Sequence, residues 1–168
     1  MRRISLVLGG ARSGKSRFAE QLAEAVPLPR TYIATAEAFD PEMAERIARH
    51  RSDRAGKGWA THEAPLDLAQ AVQAAAGLVL VDCITVWLGN LMHHQREIAP
   101  AGDELCAALA ACTAPVILVS NEVGMSIVPD NAMARRFRDE QGRLNQRLAA
   151  VADEVFLVAA GLALKLKG

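Results

Sequence analysis

Short apolar blocks alternate along the chain with stretches whose apolar positions recur every three or four residues. Residues 4–8 form a compact apolar run that stops at two glycines, the pattern of a buried strand entering a turn. In residues 16–26, Phe18, Ala19, Leu22, Ala23 and Val26 share one face at helical spacing, and Pro27 and Pro29 close the helix. Residues 31–34 read as a second strand. Asp40 and Pro41 read as an N-cap followed by proline at the first helical position. The helix they open runs to about Arg51, with Met43, Ala44, Ile47 and Ala48 on its apolar side.

Residues 52–65, rich in charge, glycine and turn formers, read as a loop. An alanine-rich helix over 66–76 leads through Gly77 into residues 78–82, an unbroken apolar run of the kind buried on both faces. Helix follows over 84–93, a polar connection over 94–102, helix over 103–112 and strand over 115–120. Residues 131–152 read as a long helix with Gly142 as a candidate break. Residues 155–159 and 162–167 are set to pair as a hairpin around Gly161. This alternation predicts an α/β domain with a mostly parallel sheet, ending in an antiparallel edge strand. With no linker, repeat or biased segment, residues 1–168 read as one domain.

Composition narrows the classes. Hydrophobic residues make up 51% and charged residues 23%, which fits a folded core and excludes disorder. Lys+Arg and Asp+Glu both number 19, so no basic field exists to hold nucleic acid, and any anion site must be local. Cys83, Cys106 and Cys112 form no C-x-x-C pair; they read as small buried hydrophobes, reduced as in the cytoplasm. The apolar run at residues 4–8 is too short for a signal peptide and meets two glycines, and no stretch is long enough to span a membrane.

The candidate chemistry begins at Gly9-Gly10-Ala11-Arg12-Ser13-Gly14-Lys15-Ser16. It follows a strand, opens a helix and matches the phosphate-binding pattern G-x-x-x-x-G-K-[ST] in full. Glycines let backbone N–H groups approach phosphate oxygens, and the helix start adds a positive dipole end. Lys15 supplies a cation for the β- and γ-phosphates, and the Ser16 hydroxyl can ligate Mg²⁺. Asp82 ends the apolar strand, where such a fold places the carboxylate that helps hold Mg²⁺.

Residues 46–54 form a second notable segment, with Arg46, Arg49, Arg51 and Arg54 around His50. It admits two readings. One is a solvated basic helix end complementing the helix dipole. The other is a nucleophilic imidazole whose neighbours Arg49, Arg51 and Arg54 bind a triphosphate and stabilise departing pyrophosphate. His62, His93 and His94 lack this setting.

At this point the chain resembles the bifunctional adenosylcobinamide kinase / adenosylcobinamide-phosphate guanylyltransferases of cobalamin biosynthesis. The resemblance runs almost end to end. It rests on the loop Gly9 to Ser16, then Tyr32-Ile33-Ala34-Thr35-Ala36. It continues with Asp40-x-Glu42-Met43-x-x-Arg46-Ile47-x-x-His50, Trp59-x-Thr61-x-Glu63 and Val81-Asp82-Cys83-Ile84-Thr85. It closes with Asn121-Glu122-Val123-Gly124-Met125-x-Ile127-Val128-Pro129, Arg135-x-Phe137-x-Asp139 and Gly142-Arg143-x-Asn145-Gln146.

The resemblance implies a P-loop NTPase (RecA-like) three-layer α/β/α sandwich. It implies phosphorylation of adenosylcobinamide by ATP or GTP, then transfer of GMP from GTP through a His–GMP intermediate, giving adenosylcobinamide-GDP and pyrophosphate. His50 matches the histidine that carries GMP; where some members have two adjacent histidines, this chain has Arg49 in the first place. Nucleotide contacts map onto Ala34, Thr35, Ala36, Arg51, Ser52, Asp53, Arg54, Glu63 and Asp82, with Glu63 as the guanine reader. The implied assembly is a homotrimer with sites shared between subunits, in the cytoplasm, with a corrinoid as the other substrate. Two readings compete with this one: a P-loop small-molecule kinase without nucleotidyl transfer, and a nucleotide-controlled assembly module.

Overall fold

The structure, a computed structural model, describes residues 3–27, 29–39, 41–54 and 56–168, without the side chains of Arg46, His50 and Asp53. Asp40, the expected helix cap, lies outside the described residues. The elements follow in the order β1 (Ile4–Gly9), α1 (Lys15–Glu24), β2 (Arg30–Ala34), α2 (Pro41–Arg54), β3 (Trp59–Glu63), α3 (Leu68–Ala74) and β4 (Leu78–Asp82). The second half adds α4 (Ile84–His93), α5 (Ile98–Ala111), β5 (Val116–Asn121), α6 (Ala132–Val151), β6 (Glu154–Ala159) and β7 (Leu162–Lys167).

The strands form one sheet in the order β3-β2-β4-β5-β1-β6-β7. Five pairings are parallel, and only β6 with β7 is antiparallel. The alternation of side chains along each strand feeds two cores. Val79 and Val81 of β4 enter a cluster with residues of α3, α4, α5 and α6, including Leu68, Trp87, Leu105 and Leu148. Leu78 and Leu80 enter the opposite cluster with Ala19 and Ala23 of α1. A strand with both faces buried must be apolar throughout, which is why β4 shows no polar alternation. The three layers match the P-loop α/β expectation.

Three local expectations need correction. Residues 59–63 are strand β3, not loop. This edge strand has four of its five residues exposed, so no hydrophobic alternation marks it. The ladder from β2 holds it instead, Arg30 opposite Trp59 through Ala34 opposite Glu63. Helix α5 starts at Ile98, inside the expected polar connection. Pro100 falls in its first turn, where a missing N–H breaks no intrahelical bond, and Ile98 is buried. Helix α6 runs unbroken through Gly142. A helical glycine costs only about 1 kcal/mol against alanine, and burial of Leu144 and Leu148 on the same helix outweighs that.

Candidate active site

The loop between β1 and α1 is shaped by sterics before any ligand arrives. A Cβ on Gly9 would lie 2.5 Å from Ser13 Oγ and 2.6 Å from the Val158 carbonyl oxygen. Gly14 caps α1 with φ 94°, a left-handed conformation that disfavours side chains. The Ser13 N–H donates to the Gly10 carbonyl at 3.3 Å, and the Gly161 N–H donates to the Ser13 carbonyl at 2.8 Å. The loop is therefore clamped against the β6–β7 turn. The first amides of α1 have no partner within the helix and carry its positive dipole end. Lys15 Nζ donates to the Gly10 carbonyl at 3.1 Å, so the ammonium stays over the same loop. Such an arrangement suits a polyphosphate.

Because β1 to β6 run parallel, their carboxyl ends share one edge of the sheet. The register sets Gly9 opposite Asn121, and Ala34 opposite both Asp82 and Glu63. Ligands of open α/β sheets bind along this edge. Here β5 separates the strand of the phosphate loop from the strand of Asp82.

Asp82 is held from the side. The Tyr32 hydroxyl donates to its Oδ2 at 2.9 Å. Burial of the phenol, with the negative Asp82 beside it, pushes the Tyr32 pKa well above the ordinary value, so it remains a donor. The Arg54 guanidinium lies 3.5 Å from the centroid of the Tyr32 ring, and Trp59 meets that ring edge-on at 5.9 Å. Arg54 is only 7% exposed, so this cation–π contact is desolvated and sits at the strong end of its class. Glu20 of α1 is also close: burial raises its pKa, Lys57 and Arg54 oppose that, and Asp82 adds to it. Burial, then Asp82, pushes the Cys83 thiol up to about 11, so Cys83 is an inert thiol and no nucleophile.

Beyond Tyr32 a cleft of about 540 Å³ is lined by Arg51, Arg54, Trp59, Thr61 and Glu63. Arg51 forms an ion pair with Glu63 across it. Both side chains are more than half exposed, so the pair holds little stability and a ligand can displace it. One carboxylate, two guanidiniums and an indole in one cleft suit a flat, polar base carrying phosphates.

The family profile described as cobinamide kinase / cobinamide phosphate guanyltransferase matches residues 5–166. The chain belongs to that family. It is 45% identical to the bifunctional adenosylcobalamin biosynthesis protein CobP of Pseudomonas aeruginosa, over 97% of this chain and 96% of that protein. It is 46% identical to the bifunctional adenosylcobalamin biosynthesis protein CobU of Salmonella typhimurium, over 96% of this chain and 98% of that protein. The CobU protein of Escherichia coli is 42% identical over 96% of this chain.

Within this cobinamide kinase / guanyltransferase fold, the residues expected from sequence fall into three groups. The loop Gly9 to Ser16, Ala34 and Asp82 gather at the carboxyl edge, with Ala36 just beyond it. Arg51, Arg54 and Glu63 gather in the cleft, and Ser52 is exposed on α2 near them in sequence. Thr35 stands apart. It is fully buried, its hydroxyl donating to the Cys83 carbonyl at 2.8 Å and accepting from the Cys83 N–H at 2.9 Å. Its own carbonyl accepts from Asn90 Nδ2, so Thr35 braces the strand end from behind. The backbone of His50 belongs to α2, and the side chains of His50 and Asp53 lie outside the described residues.

Two residues gain roles that sequence reasoning did not assign. Tyr32 holds Asp82, and Trp59 walls the cleft. Both stood in recognised motifs, but neither their type nor their spacing announces those contacts.

Proposed function

We propose that this chain is the bifunctional enzyme of adenosylcobalamin biosynthesis, a single domain over residues 1–168 working in the cytoplasm as a homotrimer. In the first reaction, the aminopropanol hydroxyl of adenosylcobinamide attacks the γ-phosphorus of ATP or GTP. The bond from that phosphorus to the β–γ bridging oxygen breaks, nucleoside diphosphate leaves, and the hydroxyl proton passes to solvent. In the second, an imidazole nitrogen of His50 attacks the α-phosphorus of GTP and pyrophosphate leaves. A phosphate oxygen of adenosylcobinamide phosphate then displaces His50, the P–N bond breaks, and adenosylcobinamide-GDP forms. Division of the transfer into two displacements is the advantage of a covalent relay.

The residues take roles that fit these steps. Lys15 and the amides from Gly9 to Ser16, with Ala11, Arg12 and Ser13 between them, hold the phosphates. Ala34, Thr35 and Ala36 shape the strand end beside them. Arg51, Ser52, Asp53 and Arg54 bring charge and hydrogen bonds to the triphosphate, and Glu63 accepts from the guanine N1 and N2 hydrogens once Arg51 releases it. Ser16 and Asp82 offer a hydroxyl and a carboxylate, hard oxygen donors that fit Mg²⁺. No group of three or more His, Cys, Asp or Glu forms a metal cluster among the described residues, so phosphate oxygens and water would complete the shell. When bound, Mg²⁺ neutralises charge on the β- and γ-phosphates. No helix of the described residues is long and apolar enough to cross a membrane.

The observation that carries this reading is the loop Gly9 to Ser16 clamped at the same sheet edge as Asp82. The test is incubation with α-labelled GTP. Wild-type protein should take up a label that acid removes and alkali does not, the signature of a phosphoramidate. His50→Ala should lose the label and the guanylyl transfer while some kinase turnover remains. A label that persists in His50→Ala would move the nucleophile elsewhere. Kinase turnover without any label in the wild type would leave only the first reaction.

A further inference from the structure

The kinase step requires a large corrinoid to bring one hydroxyl to the last phosphate of the nucleotide. One segment outside the cleft meets that requirement. β5 ends at Asn121, opposite Gly9, and the Glu122 N–H donates to the Gly9 carbonyl at 3.0 Å. The chain leaving β5 therefore starts at the root of the phosphate loop. It then presents Met125 at 82%, Ile127 at 94% and Val128 at 62% exposure, with Met133 of α6 at 75%. Large apolar side chains concentrated in so short a surface segment mark a binding surface.

The segment is held in shape. The Glu122 carboxylate accepts from the N–H groups of Gly124 and Met125. Arg135 donates to the carbonyls of Pro129 and Asp130. Its base is equally fixed. The Asn121 N–H donates to Thr85 Oγ1 at 2.7 Å, and its carbonyl accepts from Asn145 Nδ2 at 3.0 Å. Asn145 is locked in turn by Ser120 and Gln141. This frame leaves Asn121 Oδ1 buried without a hydrogen-bond partner among the described residues. A buried acceptor without a donor is costly, and an arriving donor removes the cost.

We propose that residues 121–133 form the corrinoid-binding surface. Asn121 Oδ1 accepts a hydrogen bond from the substrate hydroxyl and aims it at the phosphate loop. Met125, Ile127, Val128 and Met133 cover apolar surface of the macrocycle. The inference rests on the kinase reading above, since it places the hydroxyl beside the γ-phosphate. Its occupant is the corrinoid because the apolar segment is continuous with the phosphoryl donor site, through the Glu122–Gly9 bond, and because the acceptor at its base lacks a hydrogen-bond donor, which the substrate hydroxyl can supply.

The test uses the full chain with adenosylcobinamide and nucleotide in steady-state kinetics, beside sedimentation of the same samples. The double variant Met125→Ser/Ile127→Ser alters exposed positions, and its melting temperature serves as the folding control. It should raise the KM for the corrinoid about tenfold or more, without moving the KM for the nucleotide or the sedimentation coefficient. Asn121→Ala should lower kcat/KM for the corrinoid about tenfold or more while nucleotide KM holds. An unchanged corrinoid KM in the double variant would overturn the proposal. So would dissociation of the oligomer, which would show that a second copy covers the segment. If the wild type itself fails to phosphorylate the corrinoid, the kinase reading fails separately. Binding read from the corrin absorption spectrum then decides the location: loss in the double variant upholds it, and equal binding by both proteins, or by neither, overturns it.

Discussion

Adjacent glycines of the phosphate loop should respond oppositely to alanine. Gly9→Ala places a Cβ 2.5 Å from Ser13 Oγ and 2.6 Å from the Val158 carbonyl oxygen. The Ser13 hydroxyl can rotate away. The carbonyl cannot, because Val158 sits in β6, opposite Gly9 in the sheet, and is buried. Relief requires β1 and β6 to part at the root of the loop. Overpacking of this kind costs about 1–3 kcal/mol. The smaller unfolded-state entropy of alanine returns about 0.4–1 kcal/mol. The difference spans about 0–2.6 kcal/mol, and its midpoint is a net loss of about 1.3 kcal/mol. For a chain of 168 residues that midpoint is a fall in melting temperature of roughly 3–5 °C.

Gly10→Ala meets no heavy atom within 4 Å, and Gly10 is not among the glycines with positive φ. Its melting temperature should hold or rise slightly. Differential scanning calorimetry of both ligand-free variants reads the contrast, and repetition with GTP reads the loop: Gly9→Ala should lose most of the nucleotide-induced stabilisation. A Gly9→Ala protein melting at or above the wild type would refute the reasoning. So would a Gly10→Ala protein falling as far as Gly9→Ala.

Tyr32 is the single tyrosine, so its ionisation can be read directly by ultraviolet absorbance. The raised folded pKa means that the folded state keeps the proton, so stability falls as pH rises above about 10, the unfolded phenol value. Tyrosinate absorbance should appear together with unfolding, and its appearance in a still-folded protein would contradict the buried Asp82 bond. Tyr32→Phe keeps the ring beneath Arg54 and removes that bond, for an expected loss of about 1–2 kcal/mol in urea denaturation; an unchanged midpoint would show the bond to be idle. At the far edge of the sheet, Lys165 donates to Glu154 and holds its carboxyl below the ordinary glutamate range. The wild-type advantage over Lys165→Met should be full above roughly pH 4.5 and vanish as pH falls through the lowered Glu154 value. Since Lys165 is 44% exposed, the advantage should not exceed about 1 kcal/mol, and melts of both proteins across that range check it.

The elements visible in the sequence are those whose signal is local. The glycines and Lys15 of the phosphate loop, the doubly buried run of β4 and the periodic face of α1 each carry their meaning within a few residues. Strand β3 does not, because an exposed edge strand needs no alternation and takes its order from the β2 ladder. The start of α5 is hidden for a related reason: Pro100 marks a break by type, and only its place in the first turn makes it harmless.

For the site, residue type named Lys15, Ser16 and Asp82 as phosphate and metal ligands, and offered His50 with Arg51 as one of two readings of a basic helix end; family likeness chose between those readings and alone named Glu63. Tertiary structure decided which of these meet. Parallel strands bring Gly9, Ala34, Glu63, Asp82 and Asn121 to one edge, although they are scattered across more than a hundred residues of chain. The Tyr32–Asp82 bond joins residues 50 apart, and Arg54 reaches Tyr32 from the end of α2. No local pattern encodes such contacts, because strand order and helix placement, fixed by burial of the whole sheet, determine them.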